Sequence, residues 1–203
     1  MLNIAVFCSG NGTNLQAIIN SIKSKKLRGV SIALVVSDNY KAFALKRAKK
    51  AKIDCLVIEP RYFVSKSEFE KEIIKNLKSR NVKLIVLAGF MRIIGKDLIN
   101  TYRNKILNIH PALLPSFKGA HGIKDAFLYG VKVTGVTVHF VDDRMDHGPI
   151  ILQKEVQVKE KESLKSLEVK IHNVEHALYY KAISLFAQGR LKIKGRKIEI
   201  CQS

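Results

Sequence analysis

An α/β fold is what this sequence predicts, Rossmann-like and three-layered, with a mostly parallel twisted sheet and an antiparallel strand toward the C-terminus. Three observations carry that expectation. Short β-branched runs alternate with amphipathic helical runs from the first residues on, which implies parallel pairing through right-handed crossovers. A glycine turn, Ser9-Gly10-Asn11-Gly12-Thr13-Asn14, joins the first apolar run directly to a helical one. Late in the chain, residues 142–149 separate two strand-like runs, a connection too short for a crossover, so that pair is antiparallel.

The elements follow in order. Residues 2–8 read as a buried strand, and Leu15, Ile18, Ile19 and Ile22 then recur at helical spacing, with Thr13 or Asn14 as the cap. A strand is expected at 30–37, a helix at 40–51 and a third strand at 53–58, stopped by Pro60. Residues 65–80 form an amphipathic helix with Phe69, Ile73, Ile74 and Leu77 on one face, and Ser65 with Glu68 as its capping pair. A strongly apolar strand at 82–88 runs into the turn Gly89-Phe90-Met91-Arg92, and a short helix spans 96–102. After a short buried strand at 106–109, with His110 extended before Pro111, come a loop at 111–119, a helix at 121–129, a long Val- and Thr-rich strand at 131–141 and its partner at 150–158. A long helix at 163–188 carries an apolar stripe from Leu164 to Phe186, and 191–200 reads as a small edge hairpin turning at Gly195. No linker, repeat or low-complexity tract interrupts the chain, so residues 1–203 are expected to form a single domain.

Composition narrows the function classes. No apolar run approaches the span of a bilayer, and the N-terminal run is too short and lacks the basic lead of a signal peptide. Cys8, Cys55 and Cys201 have no metal-ligand spacing, and their odd number argues against a disulfide framework, so a cytoplasmic location is expected. The 36 Lys+Arg against 17 Asp+Glu give a formal charge of +19, the one feature that suggests a basic nucleic-acid-binding module. The lysines are, however, spread over helices and turns with no basic arm or aromatic-rich ribbon, so a solvated surface is the preferred reading and no nucleic-acid or membrane partner is expected. Such a field still favours small anionic substrates.

The chemistry centres on Asn108-Ile109-His110-Pro111. Side chains alternate along a strand, so Asn108 and His110 share a face while Ile109 enters the core, and Pro111 ends regular pairing. An amide and an imidazole are thus presented together at a strand's end, where open α/β sheets keep their ligand sites. The turn at Ser9–Asn14 is neither a dinucleotide fingerprint nor a Walker loop, but its helix start favours an anion. Asp142, Asp143 and Asp146 lie in one loop, and spacing alone does not choose a partner for His110 among them.

Six stretches together carry a resemblance: SGNGTNLQAII from Ser9, VLAGFMRI from Val86, NIHPALLPSFKGAH from Asn108, GVTVHFV from Gly135, DHGPIILQ from Asp146 and EHALYY from Glu175. Their order and spacing resemble those of the phosphoribosylglycinamide formyltransferase family, within the wider folate-dependent formyltransferases. The resemblance implies transfer of a formyl group from 10-formyltetrahydrofolate, as co-substrate and without a metal, to the amine of 5'-phosphoribosylglycinamide in de novo purine (IMP) biosynthesis. It selects Asp146 as the catalytic carboxylate beside Asn108 and His110, with His121 and His139 in support. It implies Gly12, Thr13 and Asn14 for the ribose phosphate and Glu175 for the glycinamide portion. It implies Lys66, Met91, Arg92, Ile93, Ile94 and Asn108 for the folate. His147 stands where the family carries a small residue. Small-molecule substrates and a monomer or homodimer are the expected partners. The alternatives are a formyltransferase acting on another acceptor and a formyltetrahydrofolate hydrolase.

Overall fold

The computed structural model describes residues 1–202. Nine strands and six helices follow in order: β1 Leu2–Phe7, α1 Thr13–Lys23, β2 Val30–Ser37, α2 Phe43–Lys50, β3 Cys55–Val57, α3 Lys66–Ser79, β4 Leu84–Leu87, α4 Lys96–Thr101, β5 Ile106–His110, α5 Gly122–Tyr129, β6 Val133–Phe140, β7 Ile150–Gln157, α6 Leu164–Ala187, β8 Leu191–Lys194 and β9 Lys197–Ile200. A 3-10 turn, Pro60–Tyr62, precedes α3. The main sheet has seven strands in the order β3-β2-β1-β4-β5-β6-β7 and is mostly parallel, with β7 antiparallel to β6. The expected fold class is therefore the observed one. The last hairpin differs from expectation: β8 and β9 form a separate two-stranded sheet rather than an edge of the main one.

The chain divides into two compact units, Met1–Leu107 and a second beginning at Asn108. In the first, β1 pairs in parallel with both β2 and β4. Ile4, Ala5, Val6 and Phe7 are fully buried, as a strand covered on both faces requires. Each large apolar side chain buried there is worth about 1.5–3 kcal/mol. Ser65 caps α3 by accepting from the Glu68 N–H, and Glu68 accepts from the Val64 N–H one residue earlier than a standard capping box. β3 is shorter than the sequence suggests, because only Cys55–Val57 meets β2.

In the second unit, α6 packs on β6 and β7 through Leu167, Ile171, Leu178, Ala182 and Ile183. Thr137 on β6 holds the segment that follows His110: its hydroxyl donates to the Ala112 carbonyl at 2.7 Å and accepts from the Leu114 N–H at 3.0 Å. Gln153 on β7 donates to the Leu114 carbonyl at 3.0 Å. Gly148 closes the return into β7, and a Cβ there would lie 1.9 Å from the Phe140 carbonyl oxygen, so no other residue fits.

Candidate active site

Strand alternation does what the sequence predicts at the end of β5. Ile109 is 7% exposed in the core, while Asn108 and His110 turn together toward the loop after β6. The acid they meet is Asp146. Its Oδ2 lies 3.5 Å from His110 Nδ1, and its Oδ1 lies 3.4 Å from Asn108 Nδ2. Asp146 is held in the left-handed region at φ 49°, a conformation that costs a non-glycine residue about 1 kcal/mol. Its rival Asp142 binds the Arg144 N–H and the His147 ring instead.

Two further groups complete the cluster. His139, inward-facing on β6, donates from Nδ1 to the Phe140 carbonyl at 2.7 Å. That leaves Nε2 3.2 Å from Asn108 Nδ2 and 3.7 Å from Asp146 Oδ1. The loop before α5 supplies the rest from its backbone. The Gly119 N–H donates to Asp146 Oδ2 at 2.8 Å, and His110 Nε2 donates to the Phe117 carbonyl at 2.8 Å. These peptide groups carry no side-chain signature, so sequence reasoning missed them.

The orientation of the Asn108 amide is fixed by charge. With the amide reversed, its oxygen would face the Asp146 carboxylate, so the nitrogen must lie on that side. Both amide hydrogens are therefore directed within the cluster, one at Asp146 and one at His139.

Electrostatics separate the two ionisable partners. Burial pushes the Asp146 carboxyl up, but the His139 contact, the Gly119 N–H and the His110 ring together hold it below its ordinary range. His110 is also drawn below its ordinary value of 6.5, because burial outweighs the attraction of Asp146 and of the Phe117 carbonyl. Simple ion pairing would instead raise the imidazole. At neutral pH the pair is thus a carboxylate beside a neutral ring whose Nδ1 lone pair is open to a proton, a set suited to collecting one.

Glu175 is buried on α6 within the stripe read as apolar, and its Oε2 lies 2.8 Å from His172 Nδ1, which raises the His172 pKa. His121 is exposed at the start of α5 and makes no capping hydrogen bond, so it is the one supporting histidine not drawn into the cluster. His147 turns away from Asp146: its Nδ1 meets Asp142 at 2.8 Å, and Arg196 at the tip of the last hairpin donates to its Nε2 at 2.8 Å and its carbonyl at 2.9 Å.

In Met1–Leu107 the other residues singled out fall on two features. Gly12, not Thr13 or Asn14, is the cap residue of α1; it has φ 73° and no side-chain cap, and the first turn carries no acidic residue. A Cβ on Gly12 would stand 2.7 Å from Ala44 Cβ, so glycine is needed for space as well as for φ. Arg47 on α2 braces the turn by donating to the Asn11 carbonyl at 2.8 Å and to its side-chain oxygen at 3.0 Å. Lys66, Met91, Arg92, Ile93 and Ile94 all line one cavity of about 510 Å³, together with Phe63, Phe69 and Phe90. Met91 and Ile93 are each 70% exposed, so they are not core residues.

A family model described as formyl transferase matches residues 2–183. The chain belongs to the formyl transferase family. These are enzymes of one-carbon transfer. The chain is similar to the phosphoribosylglycinamide formyltransferase of Bacillus subtilis (strain 168), at 45% identity over 88% of this chain and 91% of that one. Its similarity to the phosphoribosylglycinamide formyltransferase of Escherichia coli (strain K12) is 40% identity over 95% and 90% of the two chains. The crystal structure of glycinamide ribonucleotide transformylase 1 from Symbiobacterium toebii superposes with a TM-score of 0.96 at 42% identity, covering 100% of this chain and 95% of that one. Among the described residues of this formyl transferase, no cluster of His, Cys, Asp and Glu could hold a metal ion, and no helix is long and apolar enough to cross a membrane.

Proposed function

We propose that this formyl transferase moves the formyl group of 10-formyltetrahydrofolate to the amine of 5'-phosphoribosylglycinamide in purine biosynthesis, in the cytoplasm, with residues 1–203 acting as one catalytic domain. The observation that carries the reading is the Asp146 carboxylate, 3.5 Å from the His110 ring and 3.4 Å from the Asn108 amide. The names and coverage of the relatives support the same substrates.

The amine nitrogen attacks the formyl carbon, a C–N bond forms, and the carbonyl pair moves to oxygen. Asn108 stabilises that oxyanion with the amide hydrogen it shares with His139, keeping its other hydrogen on Asp146. The ammonium proton passes to the His110–Asp146 pair, whose open Nδ1 and ionised carboxylate are matched to receive it. The charged ring then adds its field to the oxyanion. Collapse breaks the bond to the folate nitrogen, which leaves with the electron pair and takes a proton, giving tetrahydrofolate and the formylated amine. No metal or covalent intermediate enters this path.

Gly12, Thr13 and Asn14 receive the ribose phosphate at the uncapped start of α1, and Glu175 with His172 receives the glycinamide portion. The folate lies in the cavity of Lys66 and Met91–Ile94, with Lys66 toward its glutamate end. The test is to mix purified protein with both substrates and follow folate absorbance. Turnover that requires the amine supports the reading. No change rejects it, and formyl loss without the amine makes the protein a hydrolase.

A further inference from the structure

A polar knot in Met1–Leu107 ties together residues outside the Asn108, His110 and Asp146 cluster. It lies where β1, β2 and β4 end, and these strands are neighbours in the order β2-β1-β4. Ser9 follows β1, Asp38 follows β2, and Met91 and Arg92 follow β4. Every polar group of Ser9 is engaged. Its N–H donates to the Gly89 carbonyl at 2.9 Å, and its carbonyl accepts from Asn39 Nδ2 at 3.2 Å. Its hydroxyl donates to Asp38 Oδ1 at 2.6 Å and accepts from the Met91 N–H at 2.9 Å. The second Asp38 oxygen accepts from Arg92 Nε at 2.7 Å.

Asp38 is the enclosed member: its side chain is 8% exposed, against 48% for Arg92. A carboxylate that is this covered persists only because both oxygens are satisfied. The strands do not need it, since β1 is already laddered to β2 and β4. The segments beyond the ladders do. Met91 and Ile93 stand 70% exposed, so packing does not hold them, and the chain from Gly10 to Asn14 leaves the sheet directly after Ser9.

We propose that Asp38 is a positioning residue of the formyl-transfer reaction: through Ser9 and Arg92 it pins the Met91–Ile94 segment to the root of the glycine turn, so that the folate-facing and phosphate-facing segments are set by one carboxylate. This rests on the substrate assignments proposed above. Asp38 acts on substrates only through its neighbours, and its negative charge is what makes the contacts to Ser9 and Arg92 strong.

The test uses the full-length protein with Asp38→Asn, which keeps shape and one acceptor, and Ser9→Ala, which cuts the hydroxyl bridge without touching a charge. Hydrogen exchange at the Met91 amide is expected to speed up about tenfold in both variants, while amides within β1, β2 and β4 keep their protection. In steady-state assays of Asp38→Asn, KM for the formyl folate is expected to rise about tenfold and KM for the ribonucleotide to rise with it, with kcat within about twofold. Unchanged Met91 exchange in both variants overturns the proposal. So does a loss of protection that spreads through all three strands, which would make Asp38 an ordinary stability residue, or a fall in kcat with both KM values unmoved. If the wild-type protein does not turn over the two substrates, the functional assignment falls and the exchange measurement alone decides the role of Asp38.

Discussion

The turn after β1 and the end of β5 are both places where a strand stops at a proposed site, yet they are built from opposite materials. At Gly12 the groups proposed to bind are backbone amides, and the Arg47 side chain braces the turn from outside. At Asn108 and His110 the working groups are side chains, and the braces are backbone: the Phe117 carbonyl, the Gly119 N–H and the Phe140 carbonyl. A site made of peptide groups binds charge without titrating. A site made of buried side chains can move a proton, but its protonation depends on loop atoms that must stay in place. The first is therefore expected to fail through geometry and binding, the second through rate and pH.

That contrast can be broken most directly at His110. His110→Ala is expected to lower kcat about 10²–10⁴-fold with little change in thermal stability, measured by folate absorbance and by a melting curve. Asp146→Asn comes next, with a loss of about 10²-fold. Near-wild-type turnover in either variant would remove that residue from the chemistry.

The pH dependence sharpens the comparison. His110 titrates below its ordinary 6.5, so the reactive neutral ring is present at neutral pH and kcat/KM should fall only as the pH drops through a value lower than 6.5. Asp146→Asn should displace that acid limb, whereas Gly12→Ala should leave it alone. Stability follows the same sign for this residue. The unfolded chain binds a proton at His110 more readily than the folded one, so the contribution of the buried neutral ring is lost as the pH falls from 6.5 toward the folded value. A melting-temperature profile that is flat in His110→Ala relative to wild type over that window would bear this out.

Smaller effects are expected at the other site. Gly12→Ala must place a Cβ against Ala44 at a positive φ, which should cost about 1–2 kcal/mol in denaturant unfolding and raise KM for the phosphorylated acceptor more than it lowers kcat. The smallest effect is expected at His147. Its ring serves Asp142 and Arg196 at the surface, so His147→Ala should change stability by about 0.5 kcal/mol or less and leave the pH profile in place.

Much of this was readable from residue order. The Val30–Ser37 strand, the Ser65 cap and the shared face of Asn108 and His110 follow from local rules, and the structure keeps each of them. The choice of Asp146 over Asp142 and Asp143 was not readable from spacing, because three acids in one loop differ only in where the turn sends them. Glu175 hid inside an apolar stripe, because periodicity sorts positions by face and cannot see that a buried face needs one carboxylate. A carboxylate beside an imidazole would by itself favour the charged ring, and at His110 burial reverses that, since desolvation depends on every neighbour at once. Ser9 reads as part of a turn, and Asp38 falls between a strand and a helix. Their partners lie 29 to 82 positions away, beyond any local pattern.

Gly148 carries one more implication. Two positions beyond Asp146 the chain passes so close to the Phe140 carbonyl that only a hydrogen atom can stand there. Residues 143–145, by contrast, are exposed on the outer side of the same loop. Insertions and deletions should thus be tolerated before the acid and forbidden after it, making this short stretch a spacer whose length is measured from one end only.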